Sequence, residues 1–136
     1  SIYFVHCNSL DCDDYEAPIT LADEGKKPNI IIQGDGFPAI IYHGFWSNDM
    51  DTHITKCYDF LCSNRVTTNI YSDSKIGNVV QGESSHSTLF MTDSPVGSGQ
   101  ELIVLNCYDD TCQNTNSHTA NVGANVFEFF GSVYKY

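Results

Sequence analysis

Three pairs of cysteines divide the chain into equivalent units. Each pair has the spacing Cys-x4-Cys, and each follows the previous pair at an interval of 50 residues. A run rich in β-branched and aromatic residues precedes each pair, and a polar stretch follows it, which is the pattern of a strand that enters a turn. A fixed interval of this length is typical of repeat architectures. The sequence therefore predicts three copies of one strand-and-turn unit, marked by Cys7/Cys12, Cys57/Cys62 and Cys107/Cys112.

Disulfide bonds within the three pairs are the favoured interpretation of these cysteines. All six cysteines lie in close pairs, and such pairs persist as disulfides in oxidising compartments. A zinc site usually has two to four residues between paired ligands and needs two pairs to converge, which an evenly spaced array does not supply. We therefore expect a secreted, extracellular protein. Each short ring contributes only about 2 kcal/mol in the loop-entropy model, so the packing of the domain must come from other contacts.

The charge balance excludes two classes of partner. Seventeen acidic and six basic residues give a net charge of −11, and Arg65 is the only arginine. Nucleic acids and anionic membranes are recognised by clustered lysines and arginines, which this chain lacks. No apolar run approaches the roughly 20 residues of a membrane helix, so membrane insertion is not expected.

No cofactor or metal is predicted. Calcium is the less favoured alternative, because the acidic residues of the turns lack the spacing of an EF-hand loop, and the histidines are scattered. The acidic residues considered are Asp11, Asp13, Asp14, Asp49, Asp51, Asp109 and Asp110.

Short apolar runs separated by Gly, Asp, Asn, Ser and Pro predict an all-β fold. No segment has sustained helical periodicity, and twelve runs suit strands, which leaves four strands per repeat. Both a β-propeller and a β-trefoil are built from repeats of four strands, although the Gln-x-Trp signature of a trefoil is missing here. The predicted strands are 2–8, 18–21, 29–33, 38–43, 52–58, 66–71, 78–81, 87–92, 102–108, 118–122, 126–130 and 132–136.

One unit carries a family resemblance. The stretch Gln33-Gly34-Asp35-Gly36-Phe37-Pro38-Ala39-Ile40-Ile41-Tyr42, with the strand that carries Cys57, resembles bacterial secreted repeats in which a Gly-x-Pro-x-Ile-x-Tyr strand precedes a Cys-x4-Cys turn. Those repeats look like β-propeller blades and are distantly similar to sialidase and lectin propellers. The resemblance covers residues 28–73 well and the flanking units loosely. It implies a propeller fold and carries little information about activity.

On a propeller layout the two ends of the chain are complementary parts of one blade. Residues 1–23 supply third and fourth strands, residues 125–136 supply first and second strands, and 28–73 and 77–122 are complete blades of a single domain, 1–136. Three blades are too few to close a ring, and half-blades leave unpaired strand edges. We therefore expect a homodimer that shares blades and forms a six-bladed ring.

The loop after the second strand of the first complete blade is the predicted binding site. Longer, irregular loops commonly form binding rims, and Trp46 offers a stacking surface beside polar side chains. These features favour lectin-like carbohydrate recognition, whereas packing of Phe45 and Trp46 between blades is the structural alternative. The predicted site consists of Tyr42, His43, Trp46, Asn48 and Asp49.

A second binding hypothesis is a carrier of an apolar pigment or lipid near the dimer seam. It depends on the aromatic C-terminal stretch, with Phe129, Tyr134 and Tyr136 as candidate contacts, and a dimer core is the competing role for the same residues.

Enzyme activity is not expected. A Gly-x-Ser-x-Gly elbow is absent, and one arginine cannot supply the carboxylate-binding cluster of sialidase chemistry.

Overall fold

A computed structural model describes residues 1–44, 51–71, 75–81, 86–93 and 100–123 of the protein. The strands in these ranges form three antiparallel sheets. These residues form strands, turns and loops, which confirms the predicted all-β class. Sheet 1 contains two strands, and sheets 2 and 3 contain four strands each, in up-and-down order. Sheet 1 comprises β1 (Ile2–Phe4) and β2 (Ile19–Ala22); sheet 2 comprises β3 (Lys26–Ile32), β4 (Pro38–His43), β5 (Thr52–Cys57) and β6 (Arg65–Tyr71); sheet 3 comprises β7 (Lys75–Gln81), β8 (Ser87–Asp93), β9 (Gln100–Cys107) and β10 (Thr115–Gly123).

Several strands differ in length from the sequence prediction. β1 ends at Phe4, and beyond it the pairing continues only as an isolated bridge between Cys7 and Tyr15. β3 begins earlier than predicted, at Lys26, because an irregularity with a positive φ at Lys27 lets the pairing with β4 continue. The predicted strands 126–130 and 132–136 lie outside the described residues. In the part of the chain that the structure describes, no helix is long and apolar enough to cross a membrane.

β4 is buried on both faces and holds neighbouring sheets together. Ala39 and Ile41 point to one face, and Ile40 and Tyr42 point to the other, as the two-residue period of a strand requires. The first pair packs with Ile54 and with apolar side chains of sheet 3. The second pair packs against sheet 1. Sheets 1, 2 and 3 therefore stack face to face in chain order, and the uninterrupted apolar run in β4 is explained by burial on both sides.

Each apolar layer between sheets has a defined set of side chains. Between sheets 2 and 3 lie Ala39, Ile41, Ile54, Leu89, Met91, Ile103, Leu105, Cys107 and Cys112. Between sheets 1 and 2 lie Ile2, Ile40, Tyr42, Cys57 and Cys62, with Phe4, Ile19, Leu21 and Ala22 partly buried beside them. Two of the three cysteine pairs thus belong to the cores and contact the preceding sheet.

The three Cys-x4-Cys turns are disulfide-bonded, as predicted, and share one backbone design. The bonds are Cys7–Cys12, Cys57–Cys62 and Cys107–Cys112, and the second cysteine of each has a φ between 54° and 57°. In all three turns its amide donates to the carbonyl three residues earlier, at 3.2 Å. The turns join β1 to β2, β5 to β6 and β9 to β10. The presence of three disulfides is typical of proteins from oxidising compartments.

A side chain after the first cysteine ties each turn together. Asp109 accepts hydrogen bonds from the backbone amides of Thr111, Gln113 and Asn114, and Asp59 accepts them from Ser63 and Asn64. Partial burial raises the pKa of Asp109, but these hydrogen bonds outweigh it and hold the pKa below its ordinary value. In the first turn the hydroxyl of Ser9 takes the place of the carboxylate and accepts from the amide of Asp14. Asp59 and Asp109 are therefore structural acceptors.

An ion pair joins the turn between β3 and β4 to a buried lysine of β5. The Lys56 side chain is fully buried, and its Nζ lies 2.8 Å from Oδ1 of Asp35. Asp35 Oδ1 also accepts from the amide of Phe37, and Gly36 adopts the left-handed φ of 85° that closes the turn. Partial burial raises the pKa of Asp35, but the hydrogen bonds from Lys56 and Phe37 outweigh it and leave the pKa lowered. Asp35 thus neutralises Lys56, and Gly36 lets the turn close.

Two side chains bridge neighbouring sheets with hydrogen bonds. Gln33 is buried, and its Nε2 donates to the hydroxyl of Ser87 and to the carbonyl of Asp110, both in the sheet 3 unit. Arg65 donates to the carbonyl of Cys62 and to that of Thr20 on β2. The stack of sheets is therefore held by polar contacts as well as by the apolar layers.

Replacement of Asp35 by asparagine tests the ion pair. We expect the free energy of unfolding at neutral pH to fall by about 2 kcal/mol, less than for a fully buried pair because the Asp35 side chain is 34% exposed. Because the folded-state pKa of Asp35 is lowered, its contribution is complete above the ordinary value of 3.8 and is lost as the pH falls through the lower folded value. Urea unfolding across this pH range measures the difference. A constant difference between wild type and Asp35→Asn at all pH values would contradict the assignment.

Replacement of Asp109 by alanine tests the turn design. Three backbone amides lose their carboxylate acceptor, and we expect a loss of about 1–2 kcal/mol in unfolding free energy with the disulfides intact. Asp11→Ala, an exposed acid in the first turn, is the matched control and is expected to change stability by less than about 0.5 kcal/mol. Equal losses of unfolding free energy in the two variants would show that the Asp109 hydrogen bonds do not stabilise the turn.

Candidate functional site

A groove of about 590 Å³ lies between sheets 1 and 2, at the edge of the stack away from the disulfide turns. Its residues come from the end of β2, the connection from β2 to β3, the end of β4 and the neighbouring parts of β5 and β6. The side chains that line it combine acidic, aromatic and small types. They are Ala22, Asp23, Glu24, Tyr42, Gly44, Asp51, His53 and Thr67.

The floor of the groove is a pair of stacked rings. Tyr42 and His53 are directly paired across β4 and β5, and their ring centroids lie 5.5 Å apart with an interplanar angle of 26°. Tyr42 is buried and His53 is partly exposed. The hydroxyl of Tyr42 accepts a hydrogen bond from Thr55, whose hydroxyl is 2.8 Å from that of Thr67. Tyr42 is therefore held by the core and by Thr55, and its ring packs against that of His53.

Three carboxylates line the groove. Asp23 and Glu24 are exposed and belong to the connection between sheets 1 and 2, whereas Asp51 precedes β5 and accepts a hydrogen bond from Nδ2 of Asn69 at 2.8 Å. No lysine or arginine is among the lining residues that the structure describes. Gly25 lets this connection pack tightly, because a Cβ at that position would overlap Ile2 and crowd Tyr42. The groove thus offers hydrogen-bond acceptors for hydroxyl, amide or ammonium groups.

The base of the loop 45–50 is part of the groove wall. The Gly44 amide donates to the carbonyl of Asp51 at 2.8 Å, which brings the two ends of the loop together. A Cβ at Gly44 would overlap the imidazole of His53, so only glycine allows this close approach. The loop residues Trp46, Asn48 and Asp49 lie outside the described residues, but both anchors of the loop line the groove.

The predicted site residues have different positions. Tyr42 lines the groove. His43 follows it on β4, is buried and lies on the opposite face of the sheet, so it is not a lining residue. Trp46, Asn48 and Asp49, and also Phe129, Tyr134 and Tyr136, fall outside the described residues.

The sequence predicted part of the groove. Strand order places the turn 22–27 and the loop 44–51 on the same binding rim, and both contribute lining residues. Asp23, Glu24 and His53 were not named as site residues. Pairing of residues across β4 and β5 requires the register, which the sequence does not give.

The described residues contain no group of three or more His, Cys, Asp or Glu side chains arranged to hold a metal ion. The groups that the groove offers a ligand are its carboxylates and the rings of Tyr42 and His53. Comparison with family models, with characterised proteins and with solved structures gives no match for this chain. Its function must be argued from its own residues.

Substitution of Gly44 by alanine tests the close approach to His53. The new methyl group must displace the imidazole, and we expect a loss of about 1–3 kcal/mol in unfolding free energy and a changed chemical shift of the His53 ring protons. Gly36→Ala is the control. It places an alanine at a left-handed φ, which strains the backbone, but its new Cβ has no described atom within 4 Å. It should lower stability without moving the His53 signals. Unchanged His53 signals in Gly44→Ala would refute the described packing.

Proposed function

We propose that this chain is a secreted, non-catalytic ligand-binding protein that recognises carbohydrate in a lectin-like manner. The observation that carries the proposal is the groove between sheets 1 and 2, which is lined by three carboxylates and by the stacked rings of Tyr42 and His53, of which His53 is partly exposed. A volume of about 590 Å³ lies within the usual range for small-molecule sites, roughly 300–1,000 Å³. Sugar hydroxyls are donors that carboxylates accept well, and sugar rings present apolar faces to aromatic side chains.

The predicted loop strengthens this proposal by its position. Both anchors of the loop, Gly44 and Asp51, line the groove, so Trp46, Asn48 and Asp49 belong to a segment that starts and ends there. An aromatic ring from Trp46 and an amide from Asn48, next to the carboxylates of the groove, would complete a sugar site. We therefore keep Trp46 as the proposed stacking residue.

The proposed architecture is a β-propeller in which sheets 2 and 3 are complete blades. Two features support it. Both sheets are four-stranded meanders, and successive sheets pack face to face in chain order. The first strands β3 and β7 contact each other, as the inner strands of adjacent blades do. A trefoil has the same strand count, but it does not stack whole four-stranded sheets in this way.

The alternative of an apolar carrier finds less support in the groove. Its candidate contacts, Phe129, Tyr134 and Tyr136, lie outside the described residues, and the groove presents carboxylates that an apolar cargo would desolvate at a cost. The carrier remains a prediction for the seam between chains. Its test is organic extraction of the purified protein, from which a carrier should release a pigment or lipid.

A glycan array tests the lectin proposal. We expect wild-type protein to bind at least one class of glycan, with binding reversed by the free sugar. Asp51→Asn should weaken it about 10- to 100-fold, because a charge-assisted hydrogen bond is lost, and Trp46→Ala should weaken it comparably. Asp11→Asn, which removes a carboxylate outside the groove, is the control and should bind as wild type. Wild-type affinity in Asp51→Asn and Trp46→Ala would exclude the groove as the site.

A further inference from the structure

Two separate segments bring carboxylates to the groove between sheets 1 and 2. Asp23 and Glu24 belong to the connection from β2 to β3, and Asp51 directly precedes β5. The Asp51 carboxylate accepts a hydrogen bond from Nδ2 of Asn69 at 2.8 Å, which orients it. Among the described side chains, none donates a hydrogen bond to the carboxylate of Asp23 or Glu24. Their oxygens are therefore available to a ligand.

Both acidic segments pack on the stacked rings of the groove floor. A Cβ at Gly25 would lie 3.1 Å from Cδ2 of Tyr42, so the connection from β2 to β3 lies against that ring. A Cβ at Gly44 would overlap the imidazole of His53, and the Gly44 amide is hydrogen-bonded to the carbonyl of Asp51. The ring centroids are only 5.5 Å apart. A ligand group on this floor therefore lies beside two segments that both supply carboxylates.

The described cations do not neutralise the carboxylates of the groove. Lys56 is paired with Asp35 in the turn between β3 and β4, and Arg65 donates to backbone carbonyls. Lys26 and Lys27 begin β3 and are not lining residues. The ion pairs among the described residues include none of the groove carboxylates. The groove is therefore a cavity with uncompensated negative charge.

We infer that the groove selects glycans that carry free amino groups, whose ammonium group is bound by the carboxylates of Asp23, Glu24 and Asp51. The inference rests on the proposed function, because it names the class of carbohydrate that the lectin-like site recognises. A protonated amino group on a sugar has three N–H donors and a positive charge, and its hydrogen bonds to carboxylates are charge-assisted. N-acetylation removes the charge and leaves one donor.

Charge also sets the order of preference among glycans. A glycan with carboxylate or sulfate groups is repelled by the groove and by the net charge of −11 on the whole chain. A neutral glycan can use the carboxylates only as acceptors for its hydroxyl and amide groups. The expected order of affinity is therefore amino sugars first, neutral sugars second and acidic sugars last.

Matched pairs of oligosaccharides test the inference on the wild-type protein. The members of a pair share the sugar, the linkage and the length and differ only in N-acetylation. The probes are oligomers of glucosamine and of galactosamine, each with its N-acetylated counterpart, at a pH at which the free amino group is protonated. In at least one pair, we expect the free-amino member to bind about 10- to 100-fold more tightly by isothermal titration calorimetry. Added salt should narrow the difference, because Asp23 and Glu24 are exposed.

Two double variants separate binding in the groove from the general attraction of an acidic chain. Asp23→Asn/Glu24→Gln removes two charges from the groove and should remove most of the difference within a pair. Asp11→Asn/Asp14→Asn removes two exposed charges from the first disulfide turn, at the other edge of the stack, and should keep the difference. A lysine oligomer of equal charge should bind more weakly than the amino-sugar oligomer. Equal effects of the two variants, or equal binding of the lysine oligomer, would overturn the inference.

Failure of the inference and failure of the proposed function give different results. Equal binding of both members of every pair, or tighter binding of the N-acetylated member, would overturn the inference and leave the lectin-like function intact. Binding of neutral glycans on the array without binding of any amino sugar would have the same meaning. Absence of binding to every glycan would contradict both. The comparison within pairs uses only wild-type protein, so it does not depend on the folding of a variant.

Discussion

The burial of β4 on both faces is the constraint on which the rest of the structure depends. Four successive apolar residues, Ala39 to Tyr42, serve two cores at once, with alternate side chains directed to sheet 3 and to sheet 1. Because a strand buried on both faces needs a layer on each side, sheets 1 and 3 pack on opposite faces of sheet 2. The groove follows from the same arrangement. It forms where the stack between sheets 1 and 2 opens at one edge, and Tyr42 belongs both to the core and to the groove floor.

The disulfide turns and the Gly-Asp-Gly turn make this stacking repeatable. Each disulfide closes only a short ring, but in the second and third units it also contributes apolar surface to the layer against the preceding sheet. Lys56 is a fully buried lysine, and its charge is neutralised by Asp35 of the turn that Gly36 closes. Gln33 and Arg65 then join neighbouring units through backbone carbonyls. An acidic chain with few cations uses two of them, Lys56 and Arg65, to hold its own fold.

Much of the fold was predictable from the sequence, because it is encoded in local patterns. The 50-residue interval, the disulfide pairs and the strand of residues 38–43 are all visible in the printed chain. The buried role of Lys56 was not visible, since its partner lies 21 residues away in a turn. The groove was only partly predictable for the same reason. Tyr42 is marked by its motif, whereas the stacking of His53 on it depends on strand register, and the contribution of Asp23 and Glu24 depends on how two sheets meet.

Sheet stacking through β4 is the origin of both the core and the groove, and amide hydrogen exchange of the native protein is its decisive test. We expect the amides of Ala39, Ile40 and Ile41 to exchange only when the whole domain unfolds, and those of β2, at the margin of the stack, to exchange much faster. The free energy of exchange in β4 should equal that of global unfolding measured in urea. Rapid exchange of β4 in the native protein, at rates similar to those of β2, would contradict the stacked arrangement.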